Sequence, residues 1–482
     1  MSTRIAQVVL DLDNIHKWDN SNGDTWDPFW ADDGNLYAFN CDGRGFGTGH
    51  RNLAFNKLAG NSLSSLTGSV VNTMDEYGRS GQKAADGATW KACGQECIDG
   101  VFYAFVSRNT YGSESHDPLL RQTAVNSSLI KSTDRGQTWT RTALENYNRP
   151  MWPGRGFGAP FFVHYGQNGG SVARDRAGQY VYATSTNGFW NDGDSYILGR
   201  VERRKLSALM TADWSYYLGG DGSRASSWSP VVADARPILS ARAHCGQGPI
   251  CYVPALDRYL LVAWYNTAKM TKWFEPNRMR YDFYQAEHPW GPWTQADFCT
   301  DSFISDGHMY GPSLCAKFQQ STGSAVKIIM FTSGCPFKDI PSGLYKMWEI
   351  PLLLRTESAP PAQTVSGSDL DIAYRGSWHG GDESLPGLNR HTRYTSGAGS
   401  SAELRFEGTG IVFFTEKGPQ FGPVEIDLDN RTTILNLHTP DFPRISSVEA
   451  FAAPGLGRGA HRIRVVNRSA SDAAIQMFRV IK

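Results

Sequence analysis

The sequence lacks a net charge, a long apolar segment and a dense set of cysteines. Its 482 residues carry 47 Lys and Arg against 47 Asp and Glu, so the formal net charge is zero. A neutral chain offers no electrostatic field to nucleic acid or to an anionic membrane surface, which excludes nucleic acid as the main partner. No apolar run approaches the roughly 20 residues of a membrane span.

Cysteine is scarce, with eight residues in the chain, which is too few for a disulfide-stapled scaffold. The close pairs Cys93/Cys97 and Cys245/Cys251 are predicted to be buried thiols or local disulfides. Neither pair is accompanied by the second Cys or His pair that a zinc site needs.

The amino-terminal apolar stretch is too short for a signal peptide. Three Asn-x-Ser/Thr sequons, beginning at Asn126, Asn430 and Asn467, favour secretion. We therefore predict an extracellular protein whose signal peptide is absent from this sequence, with a cytoplasmic location as the alternative. The oligomeric state is left open.

Glycine and aromatic residues are abundant, with 50 Gly, 15 Trp and 20 Tyr. This combination is typical of many short strands joined by tight turns. Runs such as 101–106, 180–184 and 259–265 have strand character, and long helical periodicity is scarce, so we predict an all-β chain. Aromatic rings also suit sugar binding.

An internal repeat organises the first three quarters of the chain. Five similar entry segments, each followed by apolar strands, are marked by Pro28, Cys97, Pro160, Pro249 and Pro312. Their mean spacing of about 71 residues is typical of four-stranded propeller blades. The repeat therefore predicts a five-bladed β-propeller over residues 1–357.

A segment rich in Pro, Ser and Thr, residues 358–368, is predicted to be a linker. Residues 369–482 alternate strands and turns over a length that suits one domain. We predict a jelly-roll β-sandwich there.

Residues 132–139 read Ser-Thr-Asp-Arg-Gly-Gln-Thr-Trp and match the Asp-box pattern in full. In this motif the Asp carboxylate accepts bonds from turn N–H groups, and Gly takes the positive-φ position. Asp86-Gly-Ala-Thr-Trp90 is a degenerate second copy. The motif predicts architecture only.

Two carboxylates in the first repeat could carry acid–base chemistry. A turn at Asp32-Asp33-Gly34-Asn35 predicts a hairpin that brings Asp24 close to Asp42. Glycoside hydrolysis needs one carboxyl to protonate the leaving oxygen and another to activate water or attack the anomeric carbon. Glu96 is a third candidate, as the acid or as a modulator of a neighbour's pKa. The alternative is that these side chains cap turns or hold a structural ion.

Polar and aromatic residues of the entry segments are predicted to converge on the propeller funnel and to bind substrate. They are Trp26, Asp27, Arg44, Arg155, His164, Asn168, Trp190, His244, Gln247, His308 and Tyr310. Among the rings, Trp190 lies in a polar loop and is predicted to be the best exposed stacking platform. We expect no cofactor, although a structural calcium ion in the channel is compatible with the chain.

The histidines keep a second chemistry open. A neutral His or Tyr can remove the proton α to a uronic acid carboxylate while Arg neutralises that carboxylate, which is lyase chemistry. His164, His244, His308, Tyr310 and Arg155 would supply these groups. Sugar-hydroxyl binding is the simpler interpretation of the histidines, and their spacing has no metal-specific pattern.

The stretch Gly23-Asp-Thr-Trp-Asp-Pro-Phe-Trp-Ala-Asp-Asp-Gly-Asn-Leu-Tyr37, followed by Cys41-Asp-Gly43, resembles the opening blade of five-bladed propeller glycoside hydrolases that include endo-D-arabinanases. Residues 284–293, which end in Trp-Gly-Pro-Trp, resemble a blade-closing motif of related propellers. The resemblance covers roughly residues 15–355. It implies hydrolysis of an arabinofuranose polymer, with Asp24 and Asp42 in the positions of the catalytic acids.

Residues 374–378, 394–399, 403–411 and 424–429 resemble jelly-roll modules attached to carbohydrate esterases and other glycan enzymes. The favoured function is hydrolysis of an extracellular polysaccharide, with an arabinan-like glycan preferred. A polysaccharide lyase is the alternative enzyme, and a non-catalytic glycan-binding propeller is the alternative from another class.

Overall fold

The computed structural model describes residues 2–110, 122–140, 150–170, 179–266, 279–301, 309–322, 325–334, 342–359, 362–380, 392–438 and 445–482. These ranges contain strands and short 3-10 turns but no α-helix. The prediction of an all-β chain is confirmed. None of the helical turns within these ranges has the length and apolarity of a membrane span.

The chain opens with β1 (Ser2–Leu10) and β2 (His16–Lys17) and then builds its first sheet. That sheet contains β3 (Asn22–Asp24), β4 (Phe29–Trp30), β5 (Leu36–Gly45), β6 (Arg51–Ala59) and β7 (Thr67–Asn72), all antiparallel to their neighbours. The second sheet contains β8 (Thr89–Ile98), β9 (Val101–Thr110), β10 (Thr123–Ser132) and β11 (Trp152–Pro153). Short turns join β4 to β5 and β8 to β9, because turn residues separate these apolar runs.

Three further sheets follow in the same order along the chain. The third contains β12 (Pro160–His164), β13 (Tyr180–Thr186), β14 (Gly193–Glu202) and β15 (Trp214–Tyr217), extended by β16 (Trp228–Ser229) and β17 (Leu239–Cys245). The fourth contains β18 (Ile250–Val253), β19 (Arg258–Asn266), β20 (Met279–Ala286) and β21 (Thr294–Thr300). The fifth contains β22 (Met309–Thr322), β23 (Ala325–Gly334) and β24 (Met347–Ala359), to which β1 and β2 pair.

One strand from each of these sheets contributes to a ring. β4 contacts β8, β8 contacts β12, β12 contacts β18, β18 contacts β22, and β22 returns to β4. The amino-terminal β1 completes the last sheet by pairing with β24, which ties the two ends of the ring together. Sheets arranged around a central channel are the architecture of a β-propeller. The five predicted entry segments lie beside or within these inner strands.

Short 3-10 turns connect several of the strands. They are Leu12–Asn14, Leu63–Ser65, Asp75–Tyr77, Gln167–Gly169, Arg203–Ala208, Thr211–Asp213, Ala225–Ser227, Val232–Asp234 and Ser342–Leu344. Rings such as Phe55 and Phe102 pack between the first and second sheets, so the core lies between adjacent sheets. This packing is where much of the aromatic surplus is used.

The Asp-box residues close a tight turn after β10. The Asp134 carboxylate accepts bonds from the N–H and the hydroxyl of Thr138, at 2.9 and 2.6 Å. Gly136 has a φ of +88°, and Trp139 packs against Phe39 and Phe55. The motif therefore stabilises a turn and the core beneath it.

The carboxyl-terminal strands form a second antiparallel arrangement. They are β25 (Ala362–Ser366), β26 (Ile372–Arg375), β27 (His379–Gly380), β28 (Arg393–Thr395), β29 (Ser401–Lys417), β30 (Pro423–Leu428), β31 (Arg431–Asn436), β32 (Ile445–Asn467), β33 (Ala473–Ile475) and β34 (Met477–Ile481). β29 pairs with β26, β32 and β34, and β25 pairs with β34. Their apolar side chains form a core of their own.

Most of the described part of the predicted linker is in strands, and residues 367–368 form a turn. β24 runs to Ala359, and β25 occupies residues 362–366. The domain bounds 1–357, 358–368 and 369–482 and the jelly-roll topology stay predictions.

Candidate active site

Asp24 and Asp42 are brought together by the predicted hairpin. β4 pairs with β5 on either side of the turn, and Ala31 donates its N–H to the Asn35 carbonyl at 2.9 Å. β3 then pairs with the far end of β5, where Asp24 lies opposite Cys41. Asp42, with a φ of +48°, is the next residue along β5. The two carboxylates therefore lie close enough to interact electrostatically.

The Asp24 carboxyl is held by two hydroxyls. Tyr310 donates to Oδ2 at 2.6 Å, and Thr25 donates to Oδ1 at 3.0 Å. Burial raises the pKa of Asp24 to about 6 and the Asp42 charge adds to the rise, while Lys91 and the Tyr310 hydrogen bond oppose it. A carboxyl in this range can hold a proton near neutral pH and donate it to a leaving group.

Asp42 forms an ion pair with Lys91 of β8. The Lys91 side chain is only 5% exposed, so the ammonium is positioned by the second sheet against a carboxylate of the first. Sequence reasoning missed Lys91. The signal was present, because a single Lys in the apolar strand Thr89–Ile98 needs a partner for its buried charge.

A second polar cluster is buried at the ring and joins four sheets. Both nitrogens of the His164 ring are engaged, Nε2 with Asp27 at 2.9 Å and Nδ1 with Glu96 at 2.8 Å. Ser313 donates to the same Asp27 oxygen at 2.5 Å. These four residues are all buried. We call them the central cluster.

Two neighbouring carboxylates determine the charge of His164. Burial alone would lower the pKa of His164, but the Asp27 and Glu96 carboxylates outweigh it and raise that pKa to about 10. Burial raises the pKa of Glu96, and His164 opposes that rise. His164 is therefore a cation between two acids near neutral pH, and it is not free to act as a base. Glu96 bonds only to His164 and to the Cys97 N–H at 2.9 Å among the contacts described.

A narrow cavity at the ring is lined in part by Asp27 and Ser313 of the central cluster. Its lining residues are Thr25, Trp26, Asp27, Phe161, Gln247, Gly248, Pro249, Gly311, Pro312 and Ser313. Gln247 is buried there, and its carbonyl accepts a bond from Trp264 at 2.8 Å. The structure thus brings together the predicted residues Asp27, His164 and Gln247 at the ring.

Two tryptophans predicted to contact substrate lie in the core. Trp26 is fully buried, donates to the Gly23 carbonyl at 2.9 Å and packs on Phe46. The prediction that Trp190 is an exposed platform is wrong, since it is 4% exposed. Its loop folds back so that the Trp190 N–H bonds the Gln122 carbonyl at 2.9 Å, which turns the ring into the core of the second and third sheets.

Three other predicted residues have local contacts. Arg44 donates to the Gly47 carbonyl at 2.8 Å. Arg155 is exposed and stacks over Phe189. Asn168 has a φ of +57° and accepts a bond from the Gly100 N–H at 2.7 Å, so it anchors a turn.

His244 is not part of the central cluster. His244 stacks on Tyr265 with ring centroids 3.7 Å apart. Burial, helped by Arg280, lowers the pKa of His244 to about 4, so the ring is neutral near pH 7. His308 lies outside the described residues.

The cysteine side chains and the candidate metal ligands are the last groups to consider. Cys93, Cys97, Cys245 and Cys251 are buried free thiols, so neither predicted pair is a disulfide. Within the described ranges, no three His, Cys, Asp or Glu side chains form a metal-ligand group. A calcium ion in the channel stays a prediction.

Comparison with known proteins gives partial matches. No family model matches the chain. The chain is 30% identical over 111 residues to the A type blood N-acetyl-α-D-galactosamine deacetylase of Flavonifractor plautii. The match covers 23% of this chain and 14% of that enzyme, so the chain spans a small part of the curated relative's length.

Two solved structures are also similar in part. The exo-β-1,3-galactanase of Phanerochaete chrysosporium is aligned over 98% of this chain and 100% of that one, at 9% identity and a TM-score of 0.36. A family two carbohydrate esterase from Cellvibrio japonicus is aligned over 25% of this chain and 33% of that one, at 15% identity and a TM-score of 0.20. Structural similarities with identities and TM-scores this low give no information about the substrate of this chain.

Proposed function

We propose that this chain hydrolyses glycosidic bonds in an extracellular polysaccharide, with an arabinan-like furanosidic glycan as the favoured substrate. One observation carries the proposal: two interacting carboxyls at the ring stand in different environments. Asp24 has a pKa of about 6 and a hydrogen bond from Tyr310, while Asp42 faces the Lys91 ammonium. Unequal carboxyl environments divide the roles of acid and base between two similar side chains.

In this mechanism Asp24 is the general acid. Its protonated carboxyl donates to the glycosidic oxygen as the bond to the anomeric carbon breaks. Asp42 is the partner that activates water or attacks the anomeric carbon, and Lys91, which forms an ion pair with it, is a positioning residue. The central cluster would support the inner strands that carry Asp24, because Asp27 is three residues along the same segment.

The lyase alternative lacks a specific observation in its favour. A lyase base must be neutral and free, whereas His164 bonds two carboxylates and carries a charge near neutral pH. His244 is neutral but stacked on Tyr265. We therefore place hydrolysis first.

The proposal is tested by incubating the protein with a panel of polysaccharides and measuring the masses of the products. The panel contains arabinan, xylan, β-1,3-galactan, polygalacturonate and an N-acetylated glycan. Hydrolysis products carry one added water, and lyase products are lighter by that water and absorb in the ultraviolet. Cleavage with added water supports the proposal. Ultraviolet-absorbing fragments, loss of acetyl groups without chain cleavage, or binding without products would each overturn it.

Residue roles are tested by matched substitutions. Asp24→Asn and Asp42→Asn should each lower kcat at least a hundredfold, since general acid–base contributions are about 10²–10⁴. Asp32→Asn is the control, because Asp32 lies in the same hairpin but pairs with Arg135 at 3.0 Å. Full activity in Asp24→Asn would remove Asp24 from the mechanism.

A further inference from the structure

A second, larger cavity lies beside the carboxyl-terminal strands. Its volume is about 700 Å³, within the range typical of small-molecule sites. Three segments form its walls: residues 217–227, the 287–292 turn between β20 and β21, and residues 366–369 with 476–479 of the carboxyl-terminal sheet. We call it the side cavity. It shares no lining residue with the Asp24–Asp42 pair or with the narrow cavity at the ring.

The first wall is a pre-formed turn. Tyr217 donates to the Gly220 carbonyl at 2.6 Å, and Ser227 donates to the Asp221 carbonyl at 2.7 Å. Trp228 donates to the Gly222 carbonyl at 2.7 Å. Because side chains fix these backbone groups, ordering the wall costs little when a ligand binds.

The opposite walls are also fixed by named contacts. In the 287–292 turn, His288 stacks parallel on Trp290 with centroids 4.8 Å apart. In the carboxyl-terminal sheet, Asp369 accepts a bond from the Ser366 N–H at 2.7 Å. Nδ1 of His288 is buried and has no hydrogen-bond partner within the described part of the chain. A buried polar atom of this kind favours a ligand or water that can bond it.

Charges around the side cavity balance one another. Asp221 pairs with Arg224 at 3.4 Å, and Glu287 pairs with Arg258 at 2.8 Å. Burial alone would raise the pKa of Glu287, but Arg258 and then Arg479 outweigh it and lower that pKa. Arg479 belongs to the carboxyl-terminal sheet, so its positive charge acts on Glu287 from a different wall of the side cavity.

Paired carboxylates and guanidiniums next to serine hydroxyls offer donors and acceptors without a net field. Such a lining suits a neutral ligand with many hydroxyls, whereas a polyanion would need an excess of positive charge. The half-buried His288 ring, which Trp290 supports from behind, suits the apolar face of a sugar ring. We propose that the side cavity is a second glycan-binding site, which takes a short neutral oligosaccharide. The lining alone supports this site, so it does not depend on hydrolysis at Asp24.

Calorimetric titration of the full chain tests the site. The probes are arabinotriose, xylotriose and β-1,3-galactotriose, with trigalacturonate as the anionic counterpart. Asp24→Asn serves as the background so that turnover does not obscure binding. Ser226→Trp places a large ring in the cavity, and Arg479→Gln removes the charge from the carboxyl-terminal wall. Ser64→Trp, on an exposed turn of the first sheet, is the matched control.

We expect a neutral trisaccharide to bind to the Asp24→Asn background protein. Adding Ser226→Trp should reduce the number of bound trisaccharides per chain by one. Adding Arg479→Gln should lower the affinity at least tenfold. Ser64→Trp should match the background. Unchanged stoichiometry in folded Ser226→Trp, no neutral trisaccharide bound at millimolar concentration, or tighter binding of trigalacturonate would each overturn it. If Ser226→Trp does not fold, hydrogen exchange decides: the sugar must protect residues 217–227 and 366–369 of the background protein. Continued cleavage by Asp24→Asn would overturn only the role of Asp24 in the proposed hydrolysis and would leave the side cavity untouched.

Discussion

The Tyr310 hydroxyl, in β22 of the fifth sheet, donates a 2.6 Å hydrogen bond to Oδ2 of Asp24, in β3 of the first sheet. This bond favours the ionised carboxyl and holds the pKa of Asp24 below the value that burial would otherwise give it. Tyr310→Phe should therefore raise the pKa of Asp24. A hydrogen bond worth about 1 kcal/mol corresponds to a shift of about 0.5–1 pH unit.

The pH dependence of kcat measures this shift. If Asp24 donates a proton, activity falls as the pH rises through its pKa of about 6, and the alkaline limb in Tyr310→Phe should lie at higher pH. Tyr374→Phe is the control, since it removes a 2.6 Å bond to the Gly367 carbonyl in the carboxyl-terminal region. If the alkaline limb of the kcat profile does not move in Tyr310→Phe, the assignment of that limb to Asp24 is contradicted.

Lys91→Met should lower kcat and also raise the pKa of Asp24. The substitution removes the counter-ion of Asp42 and the positive charge that opposes the rise in the Asp24 pKa. Lys91→Arg should restore part of both properties. Lys317→Met is a matched control, because Lys317 is equally buried but donates to the Gly34 and Gly60 carbonyls. If Lys91→Met and Lys317→Met lose the same activity and neither shifts the pH profile of kcat, the role of Lys91 is only structural.

The sequence predicted the strand class and the hairpin well, because turn residues and alternating apolar runs act locally. It predicted the proximity of Asp24 to Asp42 for the same reason. It did not predict that His164 joins Asp27 to Glu96, since these residues come from three sheets and their contacts depend on how the ring closes. The burial of Trp190 also depends on contacts between residues distant in the sequence. Its polar sequence neighbours indicated exposure, but the hydrogen bond to Gln122 places its ring in the core.

The central cluster should make stability fall as the pH rises above neutrality. The pKa of His164 is about 10 in the folded chain and near 6.5 in an unfolded one, so the folded state binds more protons between these values. The stabilisation is complete below pH 6.5 and is lost progressively up to pH 10. Between pH 7 and 8.5 the free energy of unfolding should fall by about 1 kcal/mol per pH unit.

Urea unfolding at several pH values measures this slope. His164→Gln should flatten it, while the variant itself loses about 3–5 kcal/mol because two buried carboxylates lose their cation. His244→Gln should keep the wild-type slope, since the pKa of His244 is about 4 and its ring is neutral throughout this range. A wild-type stability that does not change from pH 7 to 8.5 would show that His164 is not charged.

Gly136→Ala should destabilise the chain without changing kcat of the folded protein. Gly136 has a φ of +88°, and a Cβ there would collide with the ring of Phe55. Gly87→Ala is a matched control, because Gly87 has a φ of +77° and open space around it. Gly87→Ala should cost only the backbone strain of about 1–2 kcal/mol, and Gly136→Ala should cost more by the energy of the clash. Urea midpoints give both values, and equal losses in the two variants would mean that the Phe55 ring moves aside without cost.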